Sequence, residues 1–177
     1  KISKIDSNKD ILELTSEDNG PGIPQSSIEK VFGQLLFGSR FHAIRQSRGQ
    51  QGIGITGVVM YSQLTTGKPT HVLSKIVSEP TAVSVKIGLD TRKNKAVKSD
   101  QTRIIWENED LTLKEHGLRV TTRLKGKYQR GRQSVFQYLR MTSIVNPHAE
   151  ITFIDPDGER FHWPRVTERL PRRVDGI

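Results

Sequence analysis

Two glycine-bearing loops carry the residue types in this sequence that are best suited to chemistry. The first reads Asp18-Asn19-Gly20-Pro21-Gly22-Ile23-Pro24 and follows an alternating apolar run that predicts a strand. A carboxylate at a strand end is held by the sheet yet open to solvent, so Asp18 can accept a hydrogen bond from an amino group such as N6 of adenine. Gly20 and Gly22 lack side chains and let a flat ring approach the backbone. The same residue types also build ordinary turns. On the evidence of this loop alone, an ordinary turn is favoured over an adenine-binding loop.

The second loop contains Gly49, Gly52 and Gly54 and precedes an apolar pattern of helical period between residues 55 and 64. Glycines that open a helix expose backbone N–H groups, and the helix dipole favours an anion beside them. Arg48 adds a positive charge at the same place. We therefore expect this loop to bind phosphate.

Two common phosphate-binding motifs do not fit the second loop. Residues 52–57 match G-x-G-x-x-G letter by letter, but the dinucleotide fingerprint follows a strand, whereas residues 46–51 are polar and lack strand alternation. A P-loop requires Gly-Lys followed by Ser or Thr, and Gly67-Lys68 is followed by Pro69. Both motifs are rejected.

The two loops together resemble the GHKL ATPase superfamily, in which Asp18-x-Gly20-x-Gly22 corresponds to the adenine-binding box and residues 49–54 to the second glycine box. The closer similarity is to the B subunits of DNA topoisomerase VI. It is carried by the stretches 38–42, 45–55, 63–69 and 144–149, which read GSRFH, RQSRGQQGIGI, QLTTGKP and IVNPHA. These motifs run from Asp18 to about Pro156, which is most of the chain.

The resemblance implies an ATP site. Its residues are Asp18, Asn19, Gly20, Gly22 and Ile23 around adenine, and Ser39, Arg40, Arg48, Gly49, Gln50, Gln51, Gly52, Ile53, Gly54 and Ile55 around sugar and phosphates. Arginine pairs well with phosphate oxygens, and successive backbone amides form an anion cradle. Residues 39–52 are then a lid loop over the nucleotide.

Two departures from the family pattern concern catalysis and adenine binding. The family has a helix before the Asp18 strand that supplies a general-base Glu and a magnesium-binding Asn, and residues 1–17 contain no such helix. We therefore expect the chain to be truncated at its N-terminus, to lack catalytic residues, and to bind ATP without useful turnover, with the Mg²⁺ ligand lying in the missing helix. The family also has Gly-Thr where this chain has Gly117-Leu118, and leucine cannot donate a hydrogen bond.

In the family, ATP binding closes a B-subunit homodimer on double-stranded DNA, and an A subunit cuts both strands within an A2B2 heterotetramer. The resemblance thus implies the ATP-binding domain of an ATP-dependent type II DNA topoisomerase, in the cytoplasm and associated with the nucleoid. Two alternatives stay open. One is a different GHKL machine, such as a chaperone or kinase, which the Gln50-Gln51 pair and the long lid argue against. The other is a degenerate GHKL-like domain that binds DNA or protein without ATP turnover.

The charge balance favours an anionic partner. The chain has 28 Lys and Arg against 19 Asp and Glu, a net charge of +9. Lys125, Lys127, Arg130 and Arg132 form a basic loop before a predicted helix and are candidate DNA-backbone contacts, although a solvated charged loop is an equal alternative. The chain has no cysteine, its five histidines lack metal-ligand spacing, and no apolar run predicts a membrane span.

The predicted architecture is an α/β two-layer sandwich with a mixed sheet and helices on one face. We expect one domain over residues 1–163, followed by a proline- and arginine-rich segment over 164–177. Predicted strands cover 10–17, 71–77, 81–89, 102–107, 118–124, 151–154 and 160–163, with 92–99 as a charged connection. Predicted helices cover 26–38, 55–65 and 134–142.

Overall fold

The structure is a computed structural model that describes residues 1–6, 10–34, 52–90, 95–107 and 114–170 of the 177-residue chain. Six of the predicted phosphate-site residues lie outside the described residues. They are Ser39, Arg40, Arg48, Gly49, Gln50 and Gln51. No helix in the described ranges has the length and apolar content needed to span a membrane.

The described residues form a six-stranded sheet, a separate hairpin and three helices. The strands of the sheet are β1 (Ile2–Asp6), β2 (Ile11–Asp18), β3 (Thr70–Lys75), β4 (Ala82–Asp90), β5 (Lys95–Ile104) and β6 (Gly117–Lys125), in the spatial order β1-β2-β6-β3-β4-β5. The hairpin pairs β7 (Ile151–Ile154) with β8 (Arg160–Trp163). The helices are α1 (Gln25–Gly33), α2 (Gly54–Thr66) and α3 (Val135–Val145).

The predicted α/β two-layer fold is confirmed, but the sheet is antiparallel rather than mixed in every pairing that the structure describes. The reason is the position of β6. Strands β2 and β3 run in the same direction and are joined through α1 and α2, as in a parallel crossover. Strand β6 lies between them and runs against both, so the two parallel strands never pair.

Most element types were predicted correctly, and the errors are shifted boundaries and one missed strand. The charged stretch assigned to a connection at 92–99 belongs largely to β5, because its residues pair with β4 from Lys95 onward. Helix α1 ends at Gly33 rather than near Gly38, since Gln34 is already extended. Strand β1 was not predicted, because its five residues have only two apolar members and gain their order from pairing with β2.

One face of the sheet carries the two larger buried clusters and all three helices. Helices α1 and α2 place Ile28, Phe32 and Val59 against alternate residues of β3 and β4, and these form the main buried cluster. A second cluster on the same face joins Ile2 and Leu12 of β1 and β2 to the hairpin and to α3. Its aromatic rings pack closely, with 4.6 Å between the ring centroids of Phe136 and Phe161.

The opposite face of the sheet carries a small buried cluster of Leu73, Ala82 and Trp106, and is otherwise mainly polar with several ion pairs. Glu13 on β2 pairs with Arg123 on β6 at 2.8 Å, and Glu17 pairs with both Arg119 and Lys114. The pKa of Glu17 is lowered. Burial alone raises that pKa, but the hydrogen bonds from Lys114 and Arg119 and their positive charges more than offset the effect of burial. These two glutamates therefore stabilise pairing between β2 and β6.

The β7–β8 turn depends on a buried carboxylate. Asp155 is 2% exposed, and its Oδ1 accepts hydrogen bonds from the backbone N–H groups of Asp157 at 3.0 Å and Glu159 at 2.9 Å. Its Oδ2 accepts from Arg130 at 2.6 Å. Burial raises the pKa of Asp155, but the hydrogen bonds from Arg130 and from the two backbone groups lower it by more than burial raises it. The pKa of Asp155 therefore lies below its ordinary value.

We predict that Asp155→Asn lowers the free energy of unfolding at neutral pH by about 2 kcal/mol, because it removes charge-assisted hydrogen bonds to a buried group. In the wild type this contribution is complete above the unfolded-state pKa of about 3.9 and is lost as pH falls through the lower folded-state pKa. Denaturant unfolding at a series of pH values measures both effects.

Asp157→Asn is the matched control, since Asp157 lies in the same turn but is exposed, and its one ion pair among the described residues is with Lys4 at 2.7 Å. It should change the free energy of unfolding by less than about 1 kcal/mol. Equal losses in the two variants would show that the Asp155 carboxylate has no special role in the turn.

Candidate functional site

The first glycine loop begins at the last residue of β2, as predicted. The Asp18 side chain is exposed, and its Oδ1 accepts a hydrogen bond from the backbone N–H of Gly20 at 2.8 Å. Among the described residues, none donates to the other carboxylate oxygen. The carboxylate is thus fixed in direction by its own loop and keeps an oxygen for a ligand.

Two side chains from distant parts of the sequence hold this loop in place. The buried Ser74 of β3 donates its hydroxyl to the carbonyl of Ile23 at 2.9 Å and accepts from the N–H of Ile23 at 2.7 Å. His116 places Nδ1 2.7 Å from the carbonyl of Gly20. Because a carbonyl only accepts, Nδ1 carries the proton. Neither residue was predicted, since each acts across a sequence separation that no local pattern reveals.

Two glycines are required by backbone contacts rather than by a ligand. Gly22 has φ 73°, and a Cβ there would lie 2.2 Å from the carbonyl oxygen of Lys75. Gly117 has φ 147°, and a Cβ there would lie 2.2 Å from the carbonyl oxygen of Asp18. Any side chain at either position would force β2, β3 and β6 apart where their ends meet.

Leu118 lies directly opposite Asp18 in the register of β2 and β6, on the face that carries the core. Its side chain packs against the main buried cluster, together with Val120 and Ile23. A flat ring bound at Asp18 would therefore meet an apolar surface at Leu118.

The second glycine loop leads into a helix whose N-terminus lacks a side-chain cap. Gly52 has φ 63°, and α2 begins at Gly54 after Ile53. Within the described residues no side chain accepts from the first N–H groups, and the first turn has no acidic residue. A Cβ added at Gly54 would meet none of the described atoms within 4 Å, so the backbone is accessible there. These N–H groups and the helix dipole suit an anion.

The fold brings the two loops to the same face of the sheet. Ile23 at the end of the first loop and Ile55 at the start of α2 both pack against the main buried cluster. The hydroxyl of Thr56 also donates to the carbonyl of Gln34, at 3.4 Å, which ties the start of α2 to the end of α1. An exposed hydrogen-bond acceptor and an uncapped helix N-terminus therefore both lie on the helix face of the sheet.

The acidic side chains near this site do not form a metal site. Within the described ranges no group of three or more His, Asp or Glu side chains could hold a metal ion. Glu13 and Glu17 project from the polar face, away from Asp18, and are held by arginine and lysine. Magnesium does not fit a site made from these residues alone.

The four cations of the predicted DNA-binding loop have different surroundings. Arg130 bonds Asp155 and Glu159, and Lys127 lies 3.5 Å from Asp10. Lys125 and Arg132 are exposed and form no ion pair with any described residue. DNA binding by the whole loop stays a prediction, and Arg130 is already engaged in the fold.

The chain is similar over nearly its whole length to proteins with one name, and no protein-family model matches it. It is 49% identical over 178 residues to the B subunit of type 2 DNA topoisomerase 6 from Archaeoglobus fulgidus, covering 100% of this chain. The corresponding protein of Methanococcoides burtonii is 46% identical over 92% of the chain, and that of Pyrococcus horikoshii is 42% identical over 93%.

The chain spans 28%, 25% and 28% of these three relatives. Identity at this level over nearly every residue of the chain exceeds what a shared fold alone requires, and the predicted resemblance is confirmed. Over the part that it spans, the chain belongs to the family of type 2 DNA topoisomerase 6 B subunits.

Proposed function

We propose that this chain binds ATP as the nucleotide-binding part of a type II DNA topoisomerase B subunit. The observation that supports this is the pairing, on one face of the sheet, of a directed carboxylate at Asp18 with the uncapped N-terminus of α2. Adenine N6 would donate to Asp18 while its ring contacts Leu118. The phosphates would lie at the N–H groups of residues 53–55.

The six site residues outside the described ranges complete this proposal. Arg40 and Arg48 would pair with phosphate oxygens, and Ser39 with Gly49, Gln50 and Gln51 would line the sugar and phosphates. In this proposal, ATP binding closes a homodimer of B subunits on double-stranded DNA, and an A subunit performs cleavage. The relatives are named as DNA topoisomerase subunits, which supports the DNA-linked part of the proposal.

A second candidate is a domain of the same family that binds DNA or protein without using ATP. One observation favours it: Leu118 offers no hydrogen bond beside Asp18. Isothermal calorimetry with a non-hydrolysable ATP analogue separates the two candidates. Saturable binding supports the nucleotide site, and an absence of binding at millimolar analogue would leave only the second candidate.

We predict that Asp18→Ala weakens ATP binding by about tenfold to a hundredfold, because the adenine amino group loses its acceptor, and that it removes the preference for ATP over GTP. Calorimetry with both nucleotides measures the change. Asp157→Ala, which removes an exposed carboxylate from the β7–β8 turn, should leave both affinities unchanged.

Asp18 also orients its own loop through Gly20, so a general distortion must be distinguished from a lost adenine contact. Distortion of the loop would weaken the binding of ATP and of GTP equally, so the ratio of the two affinities would not change. A kept ratio in Asp18→Ala would therefore contradict adenine recognition at this residue.

We predict that Ile53→Asp weakens ATP binding about tenfold or more, because a carboxylate at the start of α2 repels the phosphates, while the fold is not destabilised. Ile53 is 44% exposed, so the substitution disturbs little packing. Ile53→Asn is the matched control, since it has the same shape without the charge. Equal affinities in the two variants would mean that phosphate does not approach this helix end.

We predict no useful ATP turnover by this chain, even with ATP bound. Hydrolysis needs a general base near the attacking water, and Glu13 and Glu17 are on the opposite face in ion pairs. A phosphate-release assay on the purified chain measures turnover. Activity that copurifies with the chain and disappears in Asp18→Ala would show that another residue serves as the base.

A further inference from the structure

A cleft of about 460 Å³ opens on the polar face of the sheet, on the side away from the helices and the nucleotide site. It lies near the start of β3, and its lining is mainly charged. The residues used below are Lys68, His71, Lys86, Thr121, Arg123 and Glu13, and together they are called the basic cleft.

The three cations of the basic cleft are available to an anion. Lys68 is exposed and forms no ion pair with any described residue. Lys86 lies 2.7 Å from Asp100, but both side chains are about half exposed or more, at 48% and 64%, and such pairs exchange partners readily. Arg123 uses Nε to reach Glu13, at 2.8 Å, and its terminal nitrogens bond no other described residue, so they can donate to a ligand.

His71 lines the basic cleft beside these cations and is partly buried. Its Nε2 lies 2.8 Å from the hydroxyl of Ser84. The pKa of His71 is lowered, first by burial and then by the positive charges of Lys86 and Arg119. The charged groups that face His71 across the cleft are Glu13 on β2, Arg123 on β6 and Lys68 before β3. The net charge around His71 is therefore positive.

The cations continue along β6 beyond the basic cleft. Strand alternation places Arg119, Thr121, Arg123 and Lys125 on one face, with alternate residues about 6.6 Å apart. Arg119 shares Glu17 with Lys114, whereas Lys125 is exposed and unpaired among the described residues. At the Arg119 end Trp106 packs on this face, so the exposed cations extend from the cleft toward Lys125. Several cations spaced along an exposed strand face suit a polyanion better than a small isolated ion.

We propose that this polar face binds the phosphate backbone of duplex DNA, with Lys68, Lys86 and Arg123 of the basic cleft as its centre and Lys125 as its extension. The proposal rests on the DNA-linked function proposed above, and it assigns the contact to a sheet face rather than to the whole loop 125–132. Arg130 is excluded from the contact because Asp155 and Glu159 hold it. Binding of this kind is independent of base sequence.

The test compares Lys68→Gln with Lys86→Gln, as a double variant, against a control double variant, Lys30→Gln with Arg169→Gln. Both lose two positive charges, and the control residues are exposed and lie outside the cleft. DNA affinity is measured by fluorescence anisotropy across a salt series. The cleft variant should lose roughly tenfold or more in affinity, and its logarithmic salt slope should fall by roughly 2, while the control changes little.

Equal losses in the two double variants would overturn the proposal, because they would reflect total charge alone. Calorimetry with the ATP analogue is run on the same proteins. The cleft variant should bind the analogue like wild type, whereas Asp18→Ala should keep its DNA affinity. Failure of the nucleotide proposal and failure of the DNA proposal are thereby distinguished.

A second measurement follows the imidazole protons of His71 by NMR during pH titration. Duplex DNA should raise the pKa of His71, since phosphates offset the neighbouring cations, and His162 on the distant hairpin should not respond. Inorganic phosphate at the same phosphate concentration should have a much smaller effect. A His71 pKa that is unchanged by DNA, or that phosphate alone raises equally, would overturn binding of the DNA backbone at this face.

Discussion

The close approach of three strand ends is the contact on which the rest of the structure depends. Gly117 allows β6 to begin against the carbonyl of Asp18, and Gly22 allows the first loop to pass against the carbonyl of Lys75. With these contacts β6 fits between β2 and β3 and joins the two halves of the sheet. The same contacts place Leu118 opposite Asp18, so one packing constraint builds both the sheet and the candidate site.

Adjacent residues at the end of β2 have different surroundings because a strand alternates its side chains between two faces. Asp18 belongs to the face with the helices and is exposed, whereas Glu17 belongs to the opposite face and is bound by Arg119 and Lys114. A shift of one residue in the pairing of β2 with β6 would exchange them. The ion pairs of Glu13 and Glu17 with β6 therefore stabilise the register that the candidate site needs.

The two faces of the sheet suggest a division of partners. The helix face offers a carboxylate and a helix N-terminus, which match the two ends of a nucleotide. The polar face offers cations at intervals along β6 and around the basic cleft, which match a polyanion. One sheet would then carry both proposed ligands on opposite sides, separated by the thickness of the sheet. Strand β6 contributes to both surfaces, through Leu118 on one face and Arg123 on the other.

Local sequence patterns were enough to predict the two-layer α/β fold, the hairpin at 151–163, the position of Asp18 at a strand end and the helix after the second glycine loop. Each of these features follows from the alternation, helical period or turn residues of one short stretch of sequence. The family motifs are likewise contiguous stretches, so they could be recognised without knowing the fold. Features that depend on residues far apart in the chain were seen only in the folded structure. In the folded chain β6 lies between β2 and β3, Ser74 and His116 form hydrogen bonds with the first loop, and Arg130 forms a hydrogen bond with Asp155. Hydrogen bonds and ion pairs over such separations follow from strand order, and no local pattern of residues encodes that order.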